Sequence, residues 1–142
     1  MNQFTHQTPE FSKLNTLEKE AAEHVKNNKL IEAAEVYQEI LKQFDELPSD
    51  VKTVNPEFSQ KFELEIRENL TETKFKLEDY DSAIEEGLKI LEKTPVYVIY
   101  LRVGISYFKK GKYYKARDNL LKAKELFTGE PEKIRKIFFI NI

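Results

Sequence analysis

Cysteine and tryptophan are absent from this chain of 142 residues, and glycine and proline are scarce, at four and five. Without cysteine there is no disulfide, no thiolate metal site and no thiol nucleophile, a composition compatible with a reducing compartment. With so few turn formers, and with abundant Glu, Lys and Leu, long helices are expected rather than a turn-rich sheet protein. The expected fold class is all-α. Long apolar runs are missing too: the longest candidate, Val96 to Leu101, is far short of the roughly 18 to 20 residues a membrane span needs. Met1 to Phe11 is polar and has neither a basic leader nor an apolar core, so a cytoplasmic location is the expectation. Charge of one sign does not dominate. Lys and Arg number 23 against 25 Asp and Glu, which leaves no global positive field for nucleic acid or an anionic membrane.

Residues able to carry out chemistry are few. His6 and His24 stand apart, neither in a metal-ligand spacing, and no serine sits in a nucleophile-elbow context. Gly87, Gly104, Gly111 and Gly129 are too far apart for a phosphate-binding loop. The carboxylates belong to solvated helix faces. No catalytic residue, metal site or cofactor is expected, and the chain is read as a non-enzyme.

What is present is helical periodicity. Leu14, Leu17, Ala21 and Val25 mark a first helix, stopped at Asn27-Asn28; Ile31, Ala34, Tyr37, Ile40, Leu41 and Phe44 mark a second, ended by Leu47-Pro48. The short connection between them makes an antiparallel hairpin. Ser49 to Asn55, bracketed by Pro48 and Pro56, reads as a loop. A long helix then runs from Pro56 to about Lys76, followed by one opened at Asp79 to Ser82, with Ala83, Ile84, Leu88 and Leu91 facing inward, and closed at Thr94-Pro95. The third pair is Val98 to Lys109 and Tyr113 to Phe127, joined at Lys110-Gly111-Lys112, and Pro131 starts a short last helix. The expected organisation is a flexible segment over 1–12, a helical domain over 13–128 and a capping helix over 130–142. That last helix ends in the apolar Ile137 to Ile142, which serves to cap the stack or to dock on a partner.

Aligned on their turns, the hairpins place Ala33, Ala83 and Ala116 each three residues after Leu30, Tyr80 and Tyr113. The second interval is 33 residues; the first is 50, longer by about one loop with its flanking helix extensions. Self-similarity near 34 residues indicates a helical solenoid. In the third unit, Tyr100, Gly104 and Tyr107 followed by Ala116, Leu120 and Ala123 resemble the tetratricopeptide repeat (TPR) family. The second unit keeps Tyr80, Ala83 and Pro95 but carries Thr71 and Gly87 at two packing positions, while the first keeps Ala21, Ala33 and Tyr37. The elongated junction between the first two repeats is similar to that of TPR co-chaperones, including the immunophilin type. The resemblance implies a right-handed superhelical stack of three antiparallel hairpins. In it, small residues such as Gly104 and Ala116 sit where paired helices cross closely.

It also implies a concave groove lined by the first helix of each hairpin. The candidate partner-binding residues on that basis are Asn69, Glu72, Phe75 and Lys76 on the long helix, and Val98, Leu101, Arg102, Ile105, Phe108 and Lys109 on the first helix of the third pair. Chaperone-binding members of the family grip a C-terminal carboxylate with five polar side chains. Asn69 and Arg102 stand at two matching positions, where the other three hold Glu18, Ala22 and Val98. The expected function is a non-catalytic adaptor or assembly module that takes a peptide segment of a partner protein, an apolar segment being favoured. The alternatives are a co-chaperone that holds an acidic EEVD-type chaperone tail through a partial clamp, and a structural subunit that uses its outer faces or C-terminal tail. Nucleic acid and membrane are not expected partners.

Overall fold

In a computed structural model the described residues, 9–127, form seven helices and, among themselves, no strand. In chain order these are α1 (Pro9–Lys26), α2 (Leu30–Asp45), α3 (Ser49–Thr53), α4 (Pro56–Lys76), α5 (Tyr80–Leu91), α6 (Tyr97–Lys109) and α7 (Tyr113–Leu126). The chain divides into two compact units at Thr73/Lys74. The expected capping helix over 130–142 lies outside the described residues.

In the first unit α1 packs along α2. Leu14 and Ala21 from α1, six residues of α2 from Ala33 to Phe44, and Phe62, Ile66 and Leu70 from α4 are buried at helical spacing. Residues 9–12, expected to belong to a flexible segment over 1–12, are helical; the rest of that segment lies outside the described residues. α1 begins at Pro9, because Phe11 is only 3% exposed and meets Phe44, Phe58 and Phe62 edge-on at 6.2, 5.3 and 5.7 Å between ring centroids. Such pairs add about 0.5–1.5 kcal/mol each to what area burial supplies, enough to order the turn that carries the ring.

The stretch expected as a loop, Ser49 to Asn55, also differs: Ser49–Thr53 is the short helix α3, started by Pro48. Thr53 Oγ1 donates to the Ser49 carbonyl at 2.8 Å, and Lys52 lies over the Phe44 ring at 5.8 Å. Asn55 then caps α4, its Oδ1 accepting from the Phe58 N–H at 3.1 Å, while Pro56 takes the first helical position, where no N–H is needed. The buried Ser59 hydroxyl is satisfied by donating to the Lys52 carbonyl at 2.7 Å.

In the second unit α6 packs against both α5 and α7, and Ile99, Leu101, Val103, Gly104, Ile105 and Ser106 are all buried. Leu101 and Ile105 form a core cluster with Leu120 and Ala123, against which Phe75 and Tyr100 pack. A Cβ placed on Gly104 would lie 2.8 Å from Leu120 Cγ and Cδ2, so the absence of a side chain sets how closely α6 and α7 approach. In α5 the inward residues are Ala83, Ile84, Gly87 and Ile90; Leu88, expected inward, is at the surface.

The repeat recurs in the backbone. Asn28, Glu78 and Gly111 all have positive φ, at 58°, 61° and 77°. At each, the N–H of that residue donates to the carbonyl three residues back, and the next N–H to the carbonyl five back: Asn28 to Val25 and Lys29 to His24, Glu78 to Phe75 and Asp79 to Lys74, Gly111 to Phe108 and Lys112 to Tyr107. This is the Schellman closure of a helix C-terminus. Two residues later the next helix starts. Ala33, Ala83 and Ala116, each nearly fully buried, donate their N–H groups to Lys29, Asp79 and Lys112.

Candidate partner-binding faces

The second unit holds most of the residues singled out from the sequence. Arg102, on α6, places its guanidinium 4.9 Å from the centre of the Phe75 ring, and Phe75 also meets Tyr80 edge-on at 6.0 Å. Both Phe75 and Arg102 are half-buried, as are Val98 and Phe108; Lys76 and Lys109 are exposed. Phe108 packs edge-on with Tyr113 at 5.5 Å between centroids. Tyr113 opens the second helix of its pair, where the repeat pattern predicts no partner contact, yet it is 63% exposed and adjoins Phe108.

Leu101 and Ile105 differ from the expectation that they line an open groove. At 4% and 1% exposure they belong to the core cluster, so they hold α6 in place rather than offering themselves to a partner. The accessible part of the expected face on α6 consists of the half-buried Val98, Arg102 and Phe108 and the exposed Lys109.

In the first unit Asn69 is exposed, and its carbonyl accepts from the buried Thr73 hydroxyl at 2.7 Å. Glu72, beside it in sequence, is half-buried. On the same unit Glu18 of α1 and Glu68 of α4 both have their carboxyls pushed above the usual range. Burial is the larger cause in each case, and the negative charge of Glu65 adds to it. Burial, and secondarily the Glu18 charge, also raises the Tyr37 phenol. A face on which carboxylates already raise one another's proton affinity repels a further anion.

Among the described residues no three His, Asp or Glu side chains are placed to share a metal ion, and no helix is long and apolar enough to cross a membrane. Helices closed by equivalent turns, each followed by a helix with a buried alanine at the equivalent position, have the fold of a tetratricopeptide-repeat domain. The C-terminal TPR-containing domain of an FK506-binding protein from Plasmodium falciparum has a similar structure, with a TM-score of 0.76 over 98% of this chain and 93% of that one, at 22% sequence identity. No protein-family model and no curated protein matches the sequence.

Proposed function

We propose that the chain is a non-catalytic protein-interaction module which binds a peptide segment of a partner protein in the groove expected of its fold, against the accessible side of α6 and the C-terminal end of α4. The Arg102 guanidinium over the Phe75 ring carries this reading. It is a cation-aromatic surface that is only half-buried: one side of the Phe75 ring packs on the core cluster of Leu101 and Ile105, and the Arg102 guanidinium lies over the ring at the surface. Val98 and Phe108 supply apolar contact on either side along α6, and Lys76 and Lys109 supply exposed charge at the helix ends. Such a face suits an extended or helical segment with an apolar anchor.

The sequence match to a carboxylate clamp rests on Asn69 and Arg102. The raised Glu18 carboxyl, at one of the positions where a clamp needs a cation, weighs against an acidic chaperone tail and for the apolar segment. Two labelled peptides decide between them: one amphipathic with a leucine stripe, and one ending in EEVD. Each is titrated at low and moderate salt against the native protein, Arg102→Ala, Phe108→Ala and Asn69→Ala. Binding of the amphipathic peptide that is lost with Phe108→Ala and little changed by salt supports this reading. Salt-sensitive binding of the EEVD peptide, lost with both Arg102→Ala and Asn69→Ala, replaces it with the co-chaperone reading. Failure of both peptides to bind removes the proposed face.

A further inference from the structure

A second surface, separate from the α6 face, is built on α7. Ala116, Leu120 and Ala123 bury one side of this helix, and at 100° per residue the opposite side carries Tyr114, Asp118, Leu121 and Glu125. Tyr114 is 78% exposed and Leu121 50%, seven residues apart and so on one stripe. A tyrosine ring and a leucine aligned in water are a docking surface in the making, because each exposes apolar area that no neighbour among the described residues covers.

Cations flank the stripe on both sides. Arg117 and Lys124 lie along one edge, Lys115 and Lys122 along the other. Arg117 rests over the Tyr114 ring at 5.4 Å and pairs only weakly, at 3.4 Å, with its neighbour Asp118. Lys115 lies over Tyr107 at 5.5 Å, and none of Lys115, Lys122 and Lys124 has a carboxylate partner among the described residues. From residue 109 to 127 the chain carries seven Lys and Arg against two acids, within a protein whose net charge is -2, and of the seven Lys110 is neutralised by Asp81 of α5 at 2.6 Å. The positive field is therefore local to this helix and the turn before it.

We propose that the outward face of α7 docks an acidic amphipathic helix of a partner protein, whose apolar stripe covers Tyr114 and Leu121 while its carboxylates meet the two cationic edges. Charge complementarity selects the acidic partner. The position of Asp118 and Glu125 on the central stripe selects protein over the other polyanions: a phosphate backbone or an anionic headgroup layer pressed on Tyr114 and Leu121 would meet both carboxylates. A peptide helix can instead place an amide, hydroxyl or lysine opposite them.

The probe is a synthetic helical peptide with a leucine stripe and flanking glutamates, compared with a scrambled peptide of the same composition. Vesicles of phosphatidylserine and phosphatidylcholine and a single-stranded oligonucleotide serve as the other anions, and sedimentation reports self-association. The ordered peptide is expected to bind at micromolar concentration, and to lose about tenfold in affinity with Tyr114→Ser/Leu121→Ser and again with Arg117→Glu/Lys122→Glu. Arg102→Ala, on the other face, leaves this binding unchanged. The four α7 side chains are exposed, so both double variants keep the native helical circular dichroism. The proposal is overturned if the scrambled peptide binds equally well, if vesicles or oligonucleotide bind and the ordered peptide does not, if a second copy of the chain takes the face, or if nothing binds.

Discussion

The guanidinium of Arg102 sits 4.9 Å from the centre of the Phe75 ring, which joins the end of α4 to the middle of α6 within the second unit. A contact of this kind at a half-exposed site contributes about 0.5–1 kcal/mol. A double-mutant cycle of Arg102→Ala and Phe75→Ala, followed by urea unfolding, should therefore give a coupling energy in that range. Phe75→Ala alone should cost more than Arg102→Ala, because the ring also packs on the core cluster. Equal single losses would mean that the ring's packing counts for nothing.

Gly104 leaves no room for a side chain, with Leu120 2.8 Å from where a Cβ would stand and the Leu120 backbone nitrogen at 3.2 Å. Gly104→Ala should destabilise by about 1–3 kcal/mol, since Leu120 must leave its rotamer or α7 must move outward. In the double variant Gly104→Ala/Leu120→Ala the two losses should add to less than their sum. Strict additivity in thermal unfolding would show that the crossing is not set by this contact.

Glu78 adopts φ 61°, a conformation that costs an L-residue roughly 1–2 kcal/mol. Glu78→Gly should raise stability by about 1 kcal/mol, and Asn28→Gly by less, since asparagine tolerates this region. Gly111→Ala should lower it by about 1 kcal/mol although nothing lies within 4 Å of the added methyl, so the loss would come from the backbone alone. Chemical denaturation of the three variants measures each term.

Phe11 anchors the first turn of α1 in an aromatic cluster, so removal of residues 1–12 should not be neutral. Both that truncation and Phe11→Ala should cost about 3–5 kcal/mol. A shift of the denaturation midpoint no larger than that of an ordinary surface truncation would restore the shorter domain boundary.

Glu18 and Glu68 have carboxyls raised above their ordinary value, chiefly by burial. Because the folded state holds these protons more tightly than the unfolded chain, both groups favour folding at acid pH and lose that contribution as pH climbs through the carboxylate range. Glu18→Gln should therefore be more stable than the native protein at pH 7 and indistinguishable from it below about pH 4. Melting temperatures measured across that interval give the sign directly.

The helices and their pairing were legible in the sequence because period-3.6 stripes such as Ile40, Leu41 and Phe44 are unambiguous, and because proline closes α2 and opens α4. Three features were not. α3 has no apolar stripe to reveal it, being held by Pro48 and a threonine back-bond. Phe11 stands alone before the first stripe, and only the folded chain brings Phe58 and Phe62 to it. Leu101 and Ile105 are spaced as residues of an open face would be, and their burial depends on Leu120 and Ala123, which lie 15 to 22 residues away. The half-buried Val98, Arg102 and Phe108 and the exposed Lys109 are the accessible part of the expected face on α6.

Asn28, Glu78 and Gly111 share one torsional state and one pair of hydrogen bonds, yet their side chains have nothing in common. An amide, a carboxylate and a bare hydrogen are interchangeable at such a point, provided the chain accepts the small conformational penalty. Substitution at these corners is therefore weakly constrained, and the letters can drift while the bend endures. The kinship among the three hairpins is conserved as an angle, in a form that comparison of residues alone passes over.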